Sequence, residues 1–576
     1  MKTIATILAS CVVGFCANQE PPTMPFQLAK AGGTDIPVTS SAPPSATLPK
    51  DVQAGEYLAS RFAQIHHDWK QADAFLTPII EAGQHSKALL QRSIVLAVGS
   101  GNTPSAINTA KKFHELYPDE RNSIAQILLI SEAFKTEDYN KAQELYKSLR
   151  VDRTTKFVSP FIEGWIKAGN GQLKIKNLKS NTVQLYHAIL ISDFLKDHSA
   201  IEKIVSRAIK VEGIDVSELE RIADLYGHIG LNEKALELYK TIEKQTSDHT
   251  SIQNKIANLS SGKNQPLFKK VTTARHGMAK AFHDIAGILH AENNDESARV
   301  FAHIALYLEP DTVGTALLLG QINTAHKQYD DAISYYKSIP QSNENYLDAQ
   351  HKIVNIYEDT KEYGKAYKHL KALYKTHESV ETIIRMGDLY RHQEKYKEAM
   401  TFYEKAIAEM NGDVPPEYWY LHYVRGIAYE QTGNWGKAEA DLKTALKFQP
   451  DHPYVLNYLG YAWADRGENL QAAMDMIRRA VDLRPSDGYI TDSLGWVMYK
   501  VRDYTNAVPV LERAVELRPY DPTINDHLGD AYWKVGRTME AQFQWSRAKN
   551  HSEDDEQIQT IDKKLISGIP ADKIEH

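Results

Sequence analysis

The chain has 576 residues and a formal charge of −7, from 67 Lys and Arg against 74 Asp and Glu. That balance argues against a nucleic-acid binder, which carries a basic stripe. A hydrophobic fraction of 42%, with Tyr counted in, is thin for thick globular domains of this length, and Tyr outnumbering Phe by 31 to 15 favours an extended architecture of half-buried positions with a polar tip.

At the N-terminus, residues 1–17 read MKTIATILASCVVGFCA: one Lys, an apolar run and small residues, the pattern of a secretory leader. Leu8-Ala9-Ser10-Cys11 looks like a bacterial lipobox, in which the leader is cut before the Cys and the Cys is lipid-modified. The alternative is ordinary cleavage near Cys16 or Ala17, releasing a soluble periplasmic protein. Residues 18–49 hold seven prolines among Ser, Thr and Gly. Such a stretch buries too little apolar surface to order itself and is expected to act as a disordered tether. No later segment reaches the ~18 continuous apolar residues of a membrane span. Cys11 and Cys16 are the only cysteines, so the body offers no disulfide, zinc-thiolate site or Cys nucleophile.

Residues 51–242 read as a divergent helical array. Ala106 with Pro118, Ala142 with Tyr146, and Tyr226, Ala235 and Tyr239 keep a spacing that is clearer downstream, while 51–82 and 151–212 are helical but poorly matched. Residues 243–280 contain Ser261-Gly262-Lys263-Asn264-Gln265-Pro266 and Lys269-Lys270 and are expected to form a linker or long loop. A C-terminal array then runs over 281–550. Its register is set by Gly426, Gly460, Gly495 and Gly529, which recur every 34 or 35 residues. Each is followed by a large residue (Tyr429, Trp463, Met498, Tyr532) and an Ala (Ala438, Ala473, Ala507, Ala541). A second large residue (Leu442, Ile477, Leu511, Trp545) and a second Ala (Ala445, Ala480, Ala514, Ala548) complete the pattern. Pro450, Pro485 and Pro519 close three of the units. Weaker copies lie upstream at Gly387, Tyr390, Ala399, Tyr403 and Ala406, at Tyr357, Ala366 and Leu370, at Gly320, Ala332 and Tyr336, and at Ala286, Ala298, Ala305 and Pro310. In 551–576 the stripe Ile558, Ile561, Leu565 and Ile566 predicts a capping helix and tail.

Gly and Ala let two antiparallel helices approach, the large residues fill the remaining space, and Pro stops the second helix. Gly433, Gly467 and Gly536 fall at the turn between helices, where a positive φ is needed. This pattern resembles the tetratricopeptide repeat, a helix-turn-helix unit of 34 residues. The resemblance implies an all-α, right-handed superhelical solenoid of roughly 11–13 helix pairs. It also implies that the first helix of each unit lines a concave face.

On that face the last four units are expected to present Tyr420, Tyr423, Tyr454, Asn457, Tyr461, Asp465, Tyr489, Asp492, Trp496, Tyr499, Asp526, Asp530 and Trp533. Rings interspersed with carboxylates suit protein binding, because Tyr and Trp supply contact area at low entropic cost. The alternative is that several rings pack between helices. Chaperone-binding members of the repeat family hold a C-terminal carboxylate with a Lys/Asn/Arg clamp, but the matching positions here are Tyr423, Asn457, Asp492 and Asp526. A groove of this sign should prefer neutral or basic segments.

The sequence has no P-loop, G-x-S-x-G or H-E-x-x-H motif. Gly99-Ser100-Gly101 reads as a turn and His66-His67 as a surface pair. No cofactor or metal is expected, and the chain reads as a non-catalytic scaffold; an enzyme would need a polar pocket with perturbed titratable groups in 151–280. Over most of 51–550 it resembles large exported bacterial proteins of this repeat class. Some are outer-membrane lipoproteins that recruit a periplasmic carboxyl-terminal-processing protease, and Asp492–Trp496 and Leu528–Asp530 look like that group. The resemblance implies a periplasmic adaptor, anchored to the outer membrane through Cys11, with one engaged surface in each half. The alternative is an assembly factor for a secretion, pilus or polysaccharide-export machine.

Overall fold

The structure, a computed structural model, describes residues 54–149, 152–208, 216–243, 249–261 and 270–569. The leader with Cys11 and the tether 18–49 lie outside the described residues. Every regular element among the described residues is helical. The described chain divides into two compact units, one ending at Ile353 and the other starting at Val354.

The first unit begins with three hairpins: α1 (Ala54–Ile65) with α2 (Trp69–Glu81), α3 (Lys87–Gly99) with α4 (Thr103–Leu116), and α5 (Ser123–Lys135) with α6 (Tyr139–Lys147). A single helix α7 (Arg153–Gly169) follows, then α8 (Thr182–Phe194) with α9 (His198–Ala208), α10 (Val216–His228) with α11 (Asn232–Glu243), and a single α12 (His249–Ser260). It ends with α13 (Ala274–Ala291) and α14 (Asp295–Leu308), then α15 (Val313–Ala325) and α16 (Tyr329–Lys337). Helix α17 (Tyr346–Asp359) contains the division and pairs with α18 (Tyr363–Thr376). The second unit continues as α19 (Val380–Arg391) with α20 (Tyr396–Glu409), α21 (Trp419–Gln431) with α22 (Trp435–Phe448), and α23 (Pro453–Arg466) with α24 (Leu470–Leu483). The last elements are α25 (Gly488–Lys500) with α26 (Tyr504–Leu517), α27 (Pro522–Lys534) with α28 (Thr538–His551), and α29 (Asp555–Ser567).

Every hairpin of the described residues turns through a residue at positive φ, whether or not that residue is glycine, and the α23–α24 turn has a second, Asn469 at 45°. Gly433, Gly467 and Gly536 have φ of 81°, 71° and 83°. The same place is held by Arg502 at 66°, Glu394 at 59°, Lys361 at 58°, Lys327 at 58° and Asn293 at 60°. In the first unit, besides Lys327 and Asn293, it is held by His67, Gly101, Glu137, Lys196 and Gly230. Counting seven residues back from each turn gives the position of closest approach, and this extends the register through the divergent half. There the position is filled by Ser60, Ile94, Ile130, Ile189, Ala223, Ala286 and Gly320.

Where that position is glycine, a side chain of the second helix fills the space. A Cβ would lie 2.4 Å from Tyr403 at Gly387, 2.8 Å from Ile477 at Gly460, 2.5 Å from Leu511 at Gly495 and 2.5 Å from Trp545 at Gly529. The paired alanines, Ala438 and Ala445 through Ala541 and Ala548, are fully buried. At α17 the position is Val354, the residue at which the second compact unit begins.

Residues 243–280 differ from the expected loop. Helix α12 lies within them and α13 starts at Ala274, because Ile252 is buried and Ile256 and Leu259 pack against the first unit's core. That apolar spacing directly precedes the Ser261–Pro266 turn signals in the sequence. The predicted capping helix is present as α29, with Ile561 fully buried, Ile558 and Leu565 half-buried and Ile566 87% exposed.

Candidate functional site

In the first unit the first helices α3, α5 and α8 are covered by their own chain, while α1 leaves Leu58, Phe62 and Ile65 exposed. The α13–α14 hairpin packs against α3, α5, α7 and α8. The Trp165 indole on α7 lies so close to Gly277 on α13 that a Cβ there would stand 2.3 Å from the ring. Trp165 Nε1–H donates to His187 Nδ1 at 3.1 Å, which leaves the proton of the neutral ring on Nε2 to donate to Asp284 at 3.0 Å. Burial holds the His187 pKa below its ordinary value despite Asp284. Both ring nitrogens are thus engaged in the core, with no hydroxyl or thiol nucleophile in the chain of bonds. Chain-distant segments also meet here: Lys70 pairs with Asp331, Gln328 donates to the His66 carbonyl, and His67 stacks on His326 at 4.0 Å. The expected surface pair is therefore divided, with His66 exposed and His67 half-buried against α15's end. On α3, α5, α7 and α8 the inner side in this half is therefore occupied by α13 and α14.

The second unit carries all thirteen predicted groove residues, on α21, α23, α25 and α27. Tyr423, Asn457, Tyr461, Asp492 and Asp530 are buried. Tyr420, Tyr454, Tyr489, Trp496, Tyr499, Asp526 and Trp533 are half-buried, and Asp465 is exposed. The rings sink further than alternating exposure would suggest because they pack across neighbouring first helices. Tyr423 meets Tyr458 edge-on at 6.1 Å, and Trp496 stacks on His527 at 3.9 Å and on Tyr499 at 4.8 Å. Arg518 lies 4.9 Å over the Tyr489 ring, and Tyr454 donates to Asp487 at 3.3 Å. Asp465 pairs with Lys500 at 3.2 Å.

Three polar atoms in this row are buried without a hydrogen-bond partner: Asn457 Oδ1, the Tyr461 hydroxyl and Trp496 Nε1. They are an acceptor, a group of either kind and a donor, on the adjacent helices α23 and α25. Buried polar atoms are nearly always paired, and leaving one unpaired costs about 1–3 kcal/mol. Burial also keeps the Tyr461 phenol protonated far above its usual range. At α27 the row is closed: Asp526 and Asp530 bind Lys564 at 2.7–2.8 Å, and Trp533 donates to the Ile569 carbonyl at 3.1 Å.

Sequence reasoning missed Asp388 and Arg391, which hold the corresponding inner positions on α19. Tyr403 donates to Asp388 at 2.9 Å, and Arg391 lies 3.2 Å from the same carboxylate. The signal was available, since both stand at the offsets from Gly387 that Trp496 and Tyr499 have from Gly495. Among the described residues no group of three or more His, Cys, Asp or Glu side chains is placed to hold a metal ion.

Residues 423–488 and 380–408 each match a family model described as the tetratricopeptide repeat. These two stretches carry tetratricopeptide repeats. This fold is typically a non-catalytic scaffold for protein–protein interaction. Over 85 residues the chain is 36% identical to a TPR repeat-containing protein of Pseudomonas aeruginosa, covering 15% of this chain and 14% of that protein. It is 35% identical over 85 residues to a lipoprotein NlpI homolog of Haemophilus influenzae, covering 15% of this chain and 26% of that one. The matches thus span a small part of these relatives' lengths. Among solved structures, the Cut9–Hcn1 hetero-tetramer is similar over 89% of this chain and 96% of the matched one, at 14% identity and a TM-score of 0.40. A tetratricopeptide repeat protein from Parabacteroides merdae is similar over 50% and 99%, at 13% identity and a TM-score of 0.33.

Proposed function

We propose that residues 354–569 bind a polypeptide segment along the inner row of α21, α23 and α25, and that the protein acts as a non-catalytic adaptor of the bacterial cell envelope. The observation that carries this reading is the trio of unpartnered atoms at Asn457, Tyr461 and Trp496, set among half-buried rings. A peptide backbone presents donors and acceptors in alternation, so a small shift of these side chains on binding lets it pair with all three. The rings of Tyr454, Tyr489 and Tyr499 supply apolar contact beside them. The address rests on the leader and lipobox in the sequence, with the lipoprotein name of one relative in support. No described helix is long and apolar enough to cross a membrane. Recruitment of a periplasmic protease to its substrates is one task such an adaptor performs, by raising effective concentration rather than by new chemistry.

The test is affinity purification from envelope fractions with the natural chain and with a Tyr461→Phe/Trp496→Phe variant, read by mass spectrometry. Partners held by the row are lost from the variant while its helicity is unchanged, and equal capture by both proteins overturns the reading. Co-purification with an integral membrane complex, in place of a soluble hydrolase, favours an assembly factor for an envelope machine. Intact-mass measurement of the mature N-terminus decides between lipid-modified Cys11 and cleavage near Cys16 or Ala17.

A further inference from the structure

Helix α29 is built like the first helix of a hairpin. Its N-cap Asp554 accepts from the second and third following amides, as Asp487 and Asp521 do for α25 and α27. Seven residues further on, Ile561 is buried as Leu494 and Leu528 are. The position that is Gly495 and Gly529 in those helices is Asp562 here, and no second helix packs on it among the described residues.

Its contacts are unusual for a helix held only as a lid. Ile561 is its sole buried residue, and Ile566 is 87% exposed. Leu565 and Ile569 pack half-buried against the second unit's core, and polar contacts take the inner positions of α27 one after another. Gln557 donates to Thr523 at 3.2 Å, and Lys564 Nζ sits 2.7–2.8 Å from all four carboxylate oxygens of Asp526 and Asp530, sharing its three N–H donors among them. The Trp533 indole donates to Ile569 and lies over Gly568, where a Cβ would stand 1.9 Å from the ring. A terminal helix with one fully buried side chain has few buried apolar contacts, which places it among the less stable parts of a fold that open first.

We propose that α29 is an internal competitor for the binding row: the inner face of α27 is a further position of the groove, held shut by the chain's own Lys564, and a partner segment bearing a basic side chain displaces it. This rests on the peptide-binding reading of the row. Competition of this kind lowers apparent affinity in proportion to the fraction of molecules with α29 detached. It also selects for partners that bring a Lys or Arg to Asp526 and Asp530, since those carboxylates would otherwise lose their counter-charge on displacement.

The experiment uses the full chain and a labelled synthetic peptide of residues 554–569. In Lys564→Glu, repulsion from Asp526 and Asp530 detaches α29, so hydrogen exchange of its amides speeds up while α27 and α28 stay protected. That variant then binds the peptide in trans at least about tenfold more tightly than the natural chain, whose own helix occupies the site. A second variant, Lys564→Glu with Asp526→Asn and Asp530→Asn, loses the trans binding. Unchanged exchange in α29, or equal peptide binding by the natural chain and Lys564→Glu, overturns the proposal. These readouts need no external partner, so they fail or succeed independently of Tyr461→Phe/Trp496→Phe, which reports on the row itself.

Discussion

The indole of Trp496 lies face to face with the imidazole of His527, with centroids 3.9 Å apart and planes 13° from parallel, and His527 Nδ1 stands 2.9 Å from Asp492. Trp496 and Asp492 are one turn apart on α25, and His527 reaches them from α27. The three side chains therefore tie two successive repeats together along the row. Burial alone would lower the His527 pKa, but the Asp492 carboxylate outweighs it, with Asp526 and Asp530 adding to its effect, and raises the pKa above the ordinary value. A charged imidazolium against an indole face is a cation–π contact.

A raised folded-state pKa means that this contact contributes its full stability below the unfolded value of about 6.5 and loses it as pH rises through the folded value. NMR of the His527 ring protons should show a titration midpoint above 6.5, moving down in Asp492→Asn. A midpoint at or below the ordinary value contradicts the pairing.

The first unit should respond in the opposite sense. Burial lowers the pKa of His187, holds His283 at about 4 and holds His303 at about 3. The unfolded chain then binds more protons than the folded one as pH falls below about 6.5, so stability declines with acid. Hydrogen exchange should show α13 and α14 losing protection between pH 6.5 and pH 4, and His303→Gln should flatten that dependence.

Gly495→Ala places a Cβ 2.5 Å from Leu511 and should destabilise the second unit by about 1–3 kcal/mol in denaturant titration. Leu511→Ala relieves the clash, so the double variant should be less unstable than the sum of the single changes.

Arg502 turns its hairpin at a φ of 66° without the freedom of glycine. Arg502→Gly should therefore stabilise the unit by roughly 1 kcal/mol, against the usual cost of a glycine substitution. Thermal unfolding checks the sign.

The fold was legible in the last four units because Gly, the large residue and the two Ala report one packing requirement, close approach of two helices. Upstream, Ile94, Ile130 and Ile189 replace the small residue, so the same turns persist without their sequence mark. The inner positions were legible from their offsets, but not their depth. Trp496 and Asp492 are covered by His527, which looks like a neutral choice in a single unit. Nor could local pattern show α29 lying on Asp526 and Asp530, or α13 and α14 filling the first unit, since both depend on contacts between distant segments.

Tyr461→Phe tests the central claim most directly, by thermal unfolding and partner capture measured on the same preparation. A hydroxyl buried without a partner is a cost to the unliganded fold and an asset only when a ligand pairs with it. The account predicts a higher melting temperature together with weaker capture. A variant that melts lower, or that captures partners as well as the natural chain, contradicts it.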